Sequence, residues 1–113
     1  MYQGKLWLDY STGNNAIQFQ ASITRCIRRD TEISFEFNGN DRDEGPFSGH
    51  CKAVLRDTNY KGEGEFTYPD GTIVKANVTF TANEEDTKLY LSGEWKDEGE
   101  VEPYELDAEL VKQ

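Results

Sequence analysis

The stretch that decides the fold runs from Phe47 to Tyr68 and reads FSGHCKAVLRDTNYKGEGEFTY. Apolar residues or glycines occupy every second position up to Leu55 and again from Tyr60, which is the two-residue period of a strand with one buried face. The segment Asp57-Thr58-Asn59 interrupts this pattern with residues that favour a turn. The stretch therefore predicts two antiparallel strands joined as a β-hairpin.

The same alternation continues on both sides of this hairpin and predicts about eight strands, of which the last is the least clear. The inward positions of the first seven strands are Tyr2, Gly4, Leu6, Leu8 and Tyr10; Ile17, Phe19, Ala21 and Ile23; Ile33, Phe35 and Phe37; Phe47, Gly49, Cys51, Ala53 and Leu55; Tyr60, Gly62, Gly64, Phe66 and Tyr68; Val74, Ala76, Val78 and Phe80; and Leu89, Leu91, Gly93 and Trp95. Turn-forming segments, including residues 38–46 and 83–86, separate the strands. We therefore expect consecutive strands to pair as hairpins.

These hairpins predict an all-β fold, a single antiparallel up-and-down meander of about eight strands over residues 1–113, closed into a barrel of lipocalin- or avidin-like architecture. A β-sandwich is the alternative. Inward glycines close to aromatic residues favour the tight coiling of a barrel. The last segment alternates as a closing strand would, although Leu106 and Leu110 also fit one face of a helix. We favour the strand, because a last strand beside the first leaves no exposed sheet edge.

Residues 60–72, which read YKGEGEFTYPDGT, resemble one repeat of the MORN family. That family builds solenoids of stacked hairpins and is associated with protein and phospholipid contacts. The resemblance implies a strand and a tight turn in this segment. Because no second copy follows at the family's spacing, we interpret the segment as one hairpin of the meander.

The chain is strongly acidic, with a formal net charge of −10 over 113 residues. Residues 1–57 hold 7 Lys and Arg against 8 Asp and Glu, whereas residues 58–113 hold 5 against 14. A field of this sign repels phosphate backbones and anionic lipid headgroups, so we expect neither nucleic-acid nor membrane binding. The N-terminus lacks the apolar stretch of a signal peptide and two cysteines are too few for a disulfide scaffold, which predicts a cytoplasmic protein.

Catalytic chemistry finds little support in the pattern. His50, the only histidine, points to the opposite face from its neighbour Cys51, and the predicted inward set contains no Asp, Glu, Lys or Arg. Cys26 is out of phase with the inward residues of its strand, so unless a bulge intervenes we expect it to face away from Cys51 without a disulfide. We therefore expect a protein that is not an enzyme and uses no metal ion or cofactor.

Two kinds of function are consistent with these observations. The first is a non-enzymatic binding protein, an acidic inhibitor, immunity-type or adaptor domain, that engages a basic protein partner through its second half. Its candidate contacts are Glu94, Asp97, Glu98, Glu100 and Glu102. The alternative is a carrier of a small apolar ligand, since a barrel of eight strands either fills its interior or holds one modest ligand. The candidate contacts of that ligand are Tyr60, Phe66, Tyr68 and Trp95.

Overall fold

The computed structural model describes residues 1–12 and 15–113, and of residues 11, 12 and 15 it describes the backbone alone. Eight strands make up the fold: β1 (Tyr2–Thr12), β2 (Asn15–Arg29), β3 (Glu32–Asp41), β4 (Gly45–Arg56), β5 (Asn59–Thr67), β6 (Ile73–Glu85), β7 (Lys88–Asp97) and β8 (Tyr104–Lys112). Each strand pairs antiparallel with the next, and β8 pairs with β1. The sheet is therefore a closed up-and-down barrel, which confirms the barrel over the sandwich and the C-terminal strand over the helix. Among the described residues, no helix is long and apolar enough to cross a membrane.

The interior of the barrel is apolar and is built largely from the predicted inward faces. Its bulkiest fully buried side chains are Trp95, Phe35, Phe66 and Phe80. Each contributes roughly 1.5–3 kcal/mol by leaving water. Ile17 is an exception and is 45% exposed. It precedes Ser22, the first residue of β2 that pairs with β3, so β3 does not cover it.

A β-bulge at Thr24 changes the phase of β2. Ile23 and Arg25 pair with adjacent residues of β3, so Thr24 is the extra residue and the side chains after it point to the opposite face from that expected. Cys26 is therefore fully buried in the interior. The bulge is the stated exception to the expectation that Cys26 faces away from Cys51, and both cysteines are free, as predicted.

Three turns at one end of the barrel use the same two residues. Asp30-Thr31, Asp57-Thr58 and Asp86-Thr87 follow β2, β4 and β6, and the three aspartates have φ angles of 39°, 58° and 54°. Aspartate tolerates this left-handed region better than most residues do. The turn predicted at residues 83–86 is too wide, because β6 continues to Glu85. We call this end, which also carries Met1 and Gln113, the Asp-Thr end.

The opposite end, the loop end, carries the connections at residues 42–44, 68–72 and 98–103. The turn predicted at residues 38–46 is also too wide, because β3 runs to Asp41 and β4 begins at Gly45, whose φ is 102°. Asn38 and Asn40 are common turn residues, but here they occupy outward positions of β3. The turn predicted between β1 and β2 is centred on residues 13 and 14, which lie outside the described residues.

Two inward glycines are covered by aromatic rings from other strands. The Trp95 ring of β7 lies against Gly64 of β5, and the Phe37 ring of β3 lies against Gly49 of β4. A Cβ atom at either glycine would occupy the space of the ring. Glycine is therefore required at these positions by close packing, in agreement with the tight coiling predicted from the inward glycines.

Candidate functional site

Three carboxylates form a row across β7, β8 and β1 on the outer surface. Glu94 pairs with Glu105, and Glu105 pairs with Asp9, so each lies directly opposite the next on a neighbouring strand. Asp107 lies two residues further along β8 on the same side of the sheet. Glu94 and Glu105 are exposed, whereas Asp9 and Asp107 are half-buried. We call these four residues the acidic face.

The acidic face has no basic partner within the part of the chain that the structure describes, since none of its four carboxylates forms an ion pair there. Asp9 accepts a hydrogen bond of 2.6 Å from the Nε2 amide of Gln18. Side chains directly opposite on antiparallel strands lie about 5 Å apart, and like charges at that distance destabilise the pair. A cation supplied by another molecule would relieve this repulsion.

The loop between β7 and β8 extends the negative charge towards the loop end. Glu98, Glu100 and Glu102 are all exposed. The backbone of the loop is held in place: the Glu98 amide donates to the Lys75 carbonyl at 2.7 Å, and Gly99 has a φ of 90°. Glu94 and Glu105 pair one step before the end of the ladder between β7 and β8, so the loop begins close to the acidic face, and its first carboxylate, Glu98, lies beside Lys75 of β6.

Asp97, predicted beside these glutamates as a partner contact, lies inside the barrel instead. Its side chain is 6% exposed. Tyr68 donates its hydroxyl to Asp97 Oδ2 at 2.7 Å, and Trp95 donates Nε1–H to Oδ1 at 3.0 Å. Asp97 continues the inward period of Gly93 and Trp95, which is why it cannot share an outer surface with Glu98. Burial and the hydrogen bond to Asp97 raise the pKa of Tyr68 well above its usual range.

The outer surface of β3, β4, β5 and β6 has a different charge pattern. One row of cross-strand neighbours consists of Glu36, His50, Glu65 and Lys75, so acidic and basic residue types alternate. His50 Nε2 lies 2.9 Å from Glu65 Oε2, and in the next rows Lys52 Nζ lies 3.8 Å from Glu32 Oε1. We call these six residues the balanced face.

The four residues predicted to contact an interior ligand are used in packing. Tyr60 stacks on Phe80 with ring centroids 5.5 Å apart, and Phe66 lies 4.5 Å from Tyr68 by the same measure. Trp95 is fully buried and, as described above, fills the space beside Gly64. Two concavities, of about 860 and 720 Å³, are lined mainly by outward-facing side chains. Neither concavity lies inside the barrel, and the predicted contacts are engaged in core packing, so these observations do not support the carrier hypothesis.

A polar group lies at the rim of the barrel at the Asp-Thr end, where Tyr2 is buried and Glu84 is exposed. Tyr2 donates its hydroxyl to Glu84 Oε1, and Arg28 Nη1 lies 3.8 Å from Glu84 Oε2. The hydrogen bond to Glu84 and burial raise the pKa of Tyr2. Extending the period of β6 beyond Phe80 would have placed Glu84 inward, whereas Arg28 depends on the bulge at Thr24, which no sequence signal marks.

The two cysteines are unsuited to nucleophilic chemistry at neutral pH. Burial raises the pKa of Cys26 to about 11 and that of Cys51 to about 12. Both thiols are therefore protonated near pH 7. Since the thiolate is the reactive form, they are unreactive at this pH. This agrees with the interpretation of Cys51 as a core residue.

Comparison with known proteins adds information on the fold. No family model and no curated protein matches the chain. A solved structure described as a redesigned β-barrel is similar, with a TM-score of 0.57, 17% sequence identity, and coverage of 98% of this chain and 89% of that chain. At this identity the likeness shows that both chains share the β-barrel fold, and the acidic face has to be interpreted from its own geometry.

Proposed function

We propose that this chain is a non-enzymatic binding protein, of the inhibitor, immunity or adaptor type, that engages a basic protein partner. The contact surface consists of the acidic face together with Glu98, Glu100 and Glu102. The observation that carries the proposal is the row formed by Glu94, Glu105 and Asp9, in which like charges lie opposite one another without a basic partner among the described residues.

The row of like charges lowers the stability of the barrel. A cross-strand pair of unlike charges contributes roughly 0.2–1 kcal/mol, and a directly opposite pair of like charges is destabilising. The same chain alternates acidic and basic residues on its balanced face, so the sheet can accommodate cations at such positions. An arrangement that lowers stability and yet forms a continuous surface is typical of binding sites, where function and stability compete.

The partner that suits this surface presents several Lys or Arg side chains. Guanidinium groups in particular bind carboxylates in a bidentate geometry. The net charge of −10 would also steer a basic partner towards the chain and raise the rate of association. Two unpaired, buried cysteines fit a reducing compartment, and we propose the cytoplasm as the location.

The test compares two double variants with the same change in net charge. Glu94→Lys with Glu105→Lys reverses the acidic face, and Glu36→Lys with Glu65→Lys makes the matched change on the balanced face. The wild type and both variants are immobilised and exposed to extract from the source cell, after circular dichroism has shown that all three fold. We expect a basic protein that is retained by the wild type and the balanced-face variant and lost with the acidic-face variant.

The affinity of the purified partner is then measured as a function of salt concentration. We expect the acidic-face variant to bind at least about tenfold more weakly than the wild type, equivalent to about 1.4 kcal/mol, and wild-type binding to weaken as salt screens the charges. A partner that binds both variants equally, or whose affinity does not depend on salt, would show that the acidic face is not the contact surface.

A further inference from the structure

A groove on the outer surface crosses the strands from β1 to β5. It lies next to the acidic face, which ends at β1. It has a volume of about 860 Å³ and is open to solvent. The side chains that line it and can form hydrogen bonds without carrying charge are Gln20, Ser22, Asn38, Asn40, Ser48 and Thr67. Ligand-binding clefts commonly have volumes of several hundred Å³, so the groove is large enough for a small ligand.

The lining offers donors and acceptors in equal measure. Each amide of Gln20, Asn38 and Asn40 supplies an oxygen acceptor and an NH₂ donor, and each hydroxyl can act as either. None of the six side chains forms a hydrogen bond to any other residue that the structure describes. Their hydrogen-bonding capacity is thus met by solvent and is available to a ligand.

The positions of these side chains are fixed by the register of the sheet. Ser22, Asn38, Ser48 and Thr67 are cross-strand neighbours in one row over β2, β3, β4 and β5. Successive strands lie about 4.8 Å apart, so the row presents polar groups at regular intervals on a rigid support. The ladder between β2 and β3 stops at the Ser22 and Asn38 pair, which leaves Gln20 and Asn40 to flank the place where these strands part.

The charge of the groove is unusual for this chain. No carboxylate lines it, although the chain contains 22 Asp and Glu residues, and Lys5 is the charged residue in its lining. A lining of this kind suits a neutral ligand rich in hydroxyl groups more than it suits a basic peptide, which would gain no charge pairing here.

An aromatic residue, Trp7, lies next to one of the residues that line the groove. Trp7 points outward from β1, is half-buried, and is the direct cross-strand neighbour of Gln20. On its other side it adjoins Asp107 of the acidic face. An indole ring offers a flat apolar surface, and the amides beside it offer hydrogen bonds. We propose that this groove binds a neutral saccharide, whose apolar ring faces would contact Trp7 and whose hydroxyl groups would bind the amides and hydroxyls of the row.

The test uses hexasaccharides of α-linked glucose, β-linked glucose, mannose and N-acetylglucosamine as probes. Because Trp95 is fully buried, a change in tryptophan fluorescence on adding a saccharide reports on Trp7. We expect at least one probe to bind with a Kd of about 1 mM or below. In amide NMR spectra the shifts should concentrate at residues 20–22, 38–40 and 46–48. The absence of binding by all four probes at this concentration would overturn the proposal.

Variants locate the binding site. We expect Gln20→Ala and Asn40→Ala each to weaken binding by about threefold to tenfold, the effect of losing one hydrogen bond. Asn77→Ala is the matched control, because Asn77 is an exposed amide on the outer surface of β6. Equal binding by Asn40→Ala and the control would overturn the proposal. The acidic-face variant Glu94→Lys with Glu105→Lys should bind the saccharide as the wild type does, so this proposal and the proposed function can fail separately.

Discussion

The acidic face and the balanced face are built on the same barrel from the same kind of strand, yet their charges are arranged in opposite ways. On the balanced face, Glu65 lies between His50 and Lys75 on the adjacent strands. On the acidic face, Glu105 lies between Glu94 and Asp9. Glu65 therefore has a histidine and a lysine as neighbours, whereas Glu105 has two carboxylates.

The difference shows that burial and backbone geometry do not dictate which charges a strand carries on its outer side. Glu65 and Glu105 each lie on a strand that pairs with an antiparallel neighbour on both sides, and neither side chain is part of the core. Alternating charges stabilise the sheet by themselves, whereas a row of like charges gains stability only when another molecule supplies the opposite charge. The balanced face can thus be understood from folding alone, whereas the basic partner proposed above would account for the acidic face.

The largest effect on stability is expected at Asp97, which lies inside the barrel although Glu94 of the same strand lies on the surface. Asp97→Ala removes the acceptor of two buried donors, Tyr68 and Trp95. We expect a loss of about 3 kcal/mol in the free energy of unfolding, because hydrogen bonds to a charged group contribute about 1.5–3 kcal/mol each and the donors are left unpaired. Glu98→Ala, one residue further and exposed, should change it by less than about 0.5 kcal/mol. Urea unfolding of both variants measures this difference, and equal effects would place Asp97 with the surface residues.

Raising the pH should weaken the interior through its two buried thiols. Cys26 and Cys51 have pKa values of about 11 and about 12 in the folded chain, against 9.0 for a free thiol. Above pH 9 the unfolded chain therefore binds fewer protons than the folded chain, so the contribution of these groups to stability is complete below pH 9 and is lost as the pH rises towards 12.

We expect the free energy of unfolding to fall by up to about 1.4 kcal/mol per pH unit for each thiol in this window. The measurement is urea unfolding at several pH values from about pH 8 upwards. Cys51→Ala should be less stable than the wild type near pH 8 but lose stability with a shallower slope as the pH rises. A slope that is the same in the variant and the wild type would show that Cys51 does not titrate as its burial requires.

Much of this arrangement could be predicted from the two-residue period, because strands with one buried face repeat it locally. The inward faces of β3 and β5, from Ile33 to Phe37 and from Tyr60 to Phe66, are examples. The bulge at Thr24 could not be predicted, since it depends on pairing with β1 and β3 rather than on the type of residue. Asp97 was misplaced because its charge suggested the surface, although its phase with Trp95 indicated the interior.

The acidic row was only partly visible in the sequence for a related reason. Glu94 and Glu105 lie 11 residues apart, and Asp9 is at the other end of the chain, so the row exists only through the register of β8 with both neighbours. Composition indicates that the second half is acidic, but it does not say which carboxylates lie opposite one another. The neutral groove depends on register in the same way.

An exchange of charge between the two faces should reverse their contributions to stability. Lys75→Glu places a carboxylate directly opposite Glu65, and Glu105→Lys places an ammonium group between Glu94 and Asp9. We expect the first to lower the free energy of unfolding by about 0.5–1 kcal/mol and the second to raise it by a similar amount. Thermal unfolding at low ionic strength measures both changes. If Glu105→Lys were destabilising, the repulsion inferred for the acidic row would be wrong.

The smallest effect, a few tenths of a kcal/mol, is expected from salt. The Debye length falls from about 30 Å at 0.01 M to about 3 Å at 1 M, so added salt screens the repulsion between Glu94, Glu105 and Asp9. Sodium chloride should therefore stabilise the wild type more than Glu105→Gln, in which the row has lost its central charge. Glu65→Gln is the matched control: because Glu65 lies directly opposite Lys75, the variant removes an attraction instead, and salt should stabilise it at least as much as it stabilises the wild type. Identical salt responses of the two variants would mean that the acidic row and the balanced row differ in sequence without differing in energy.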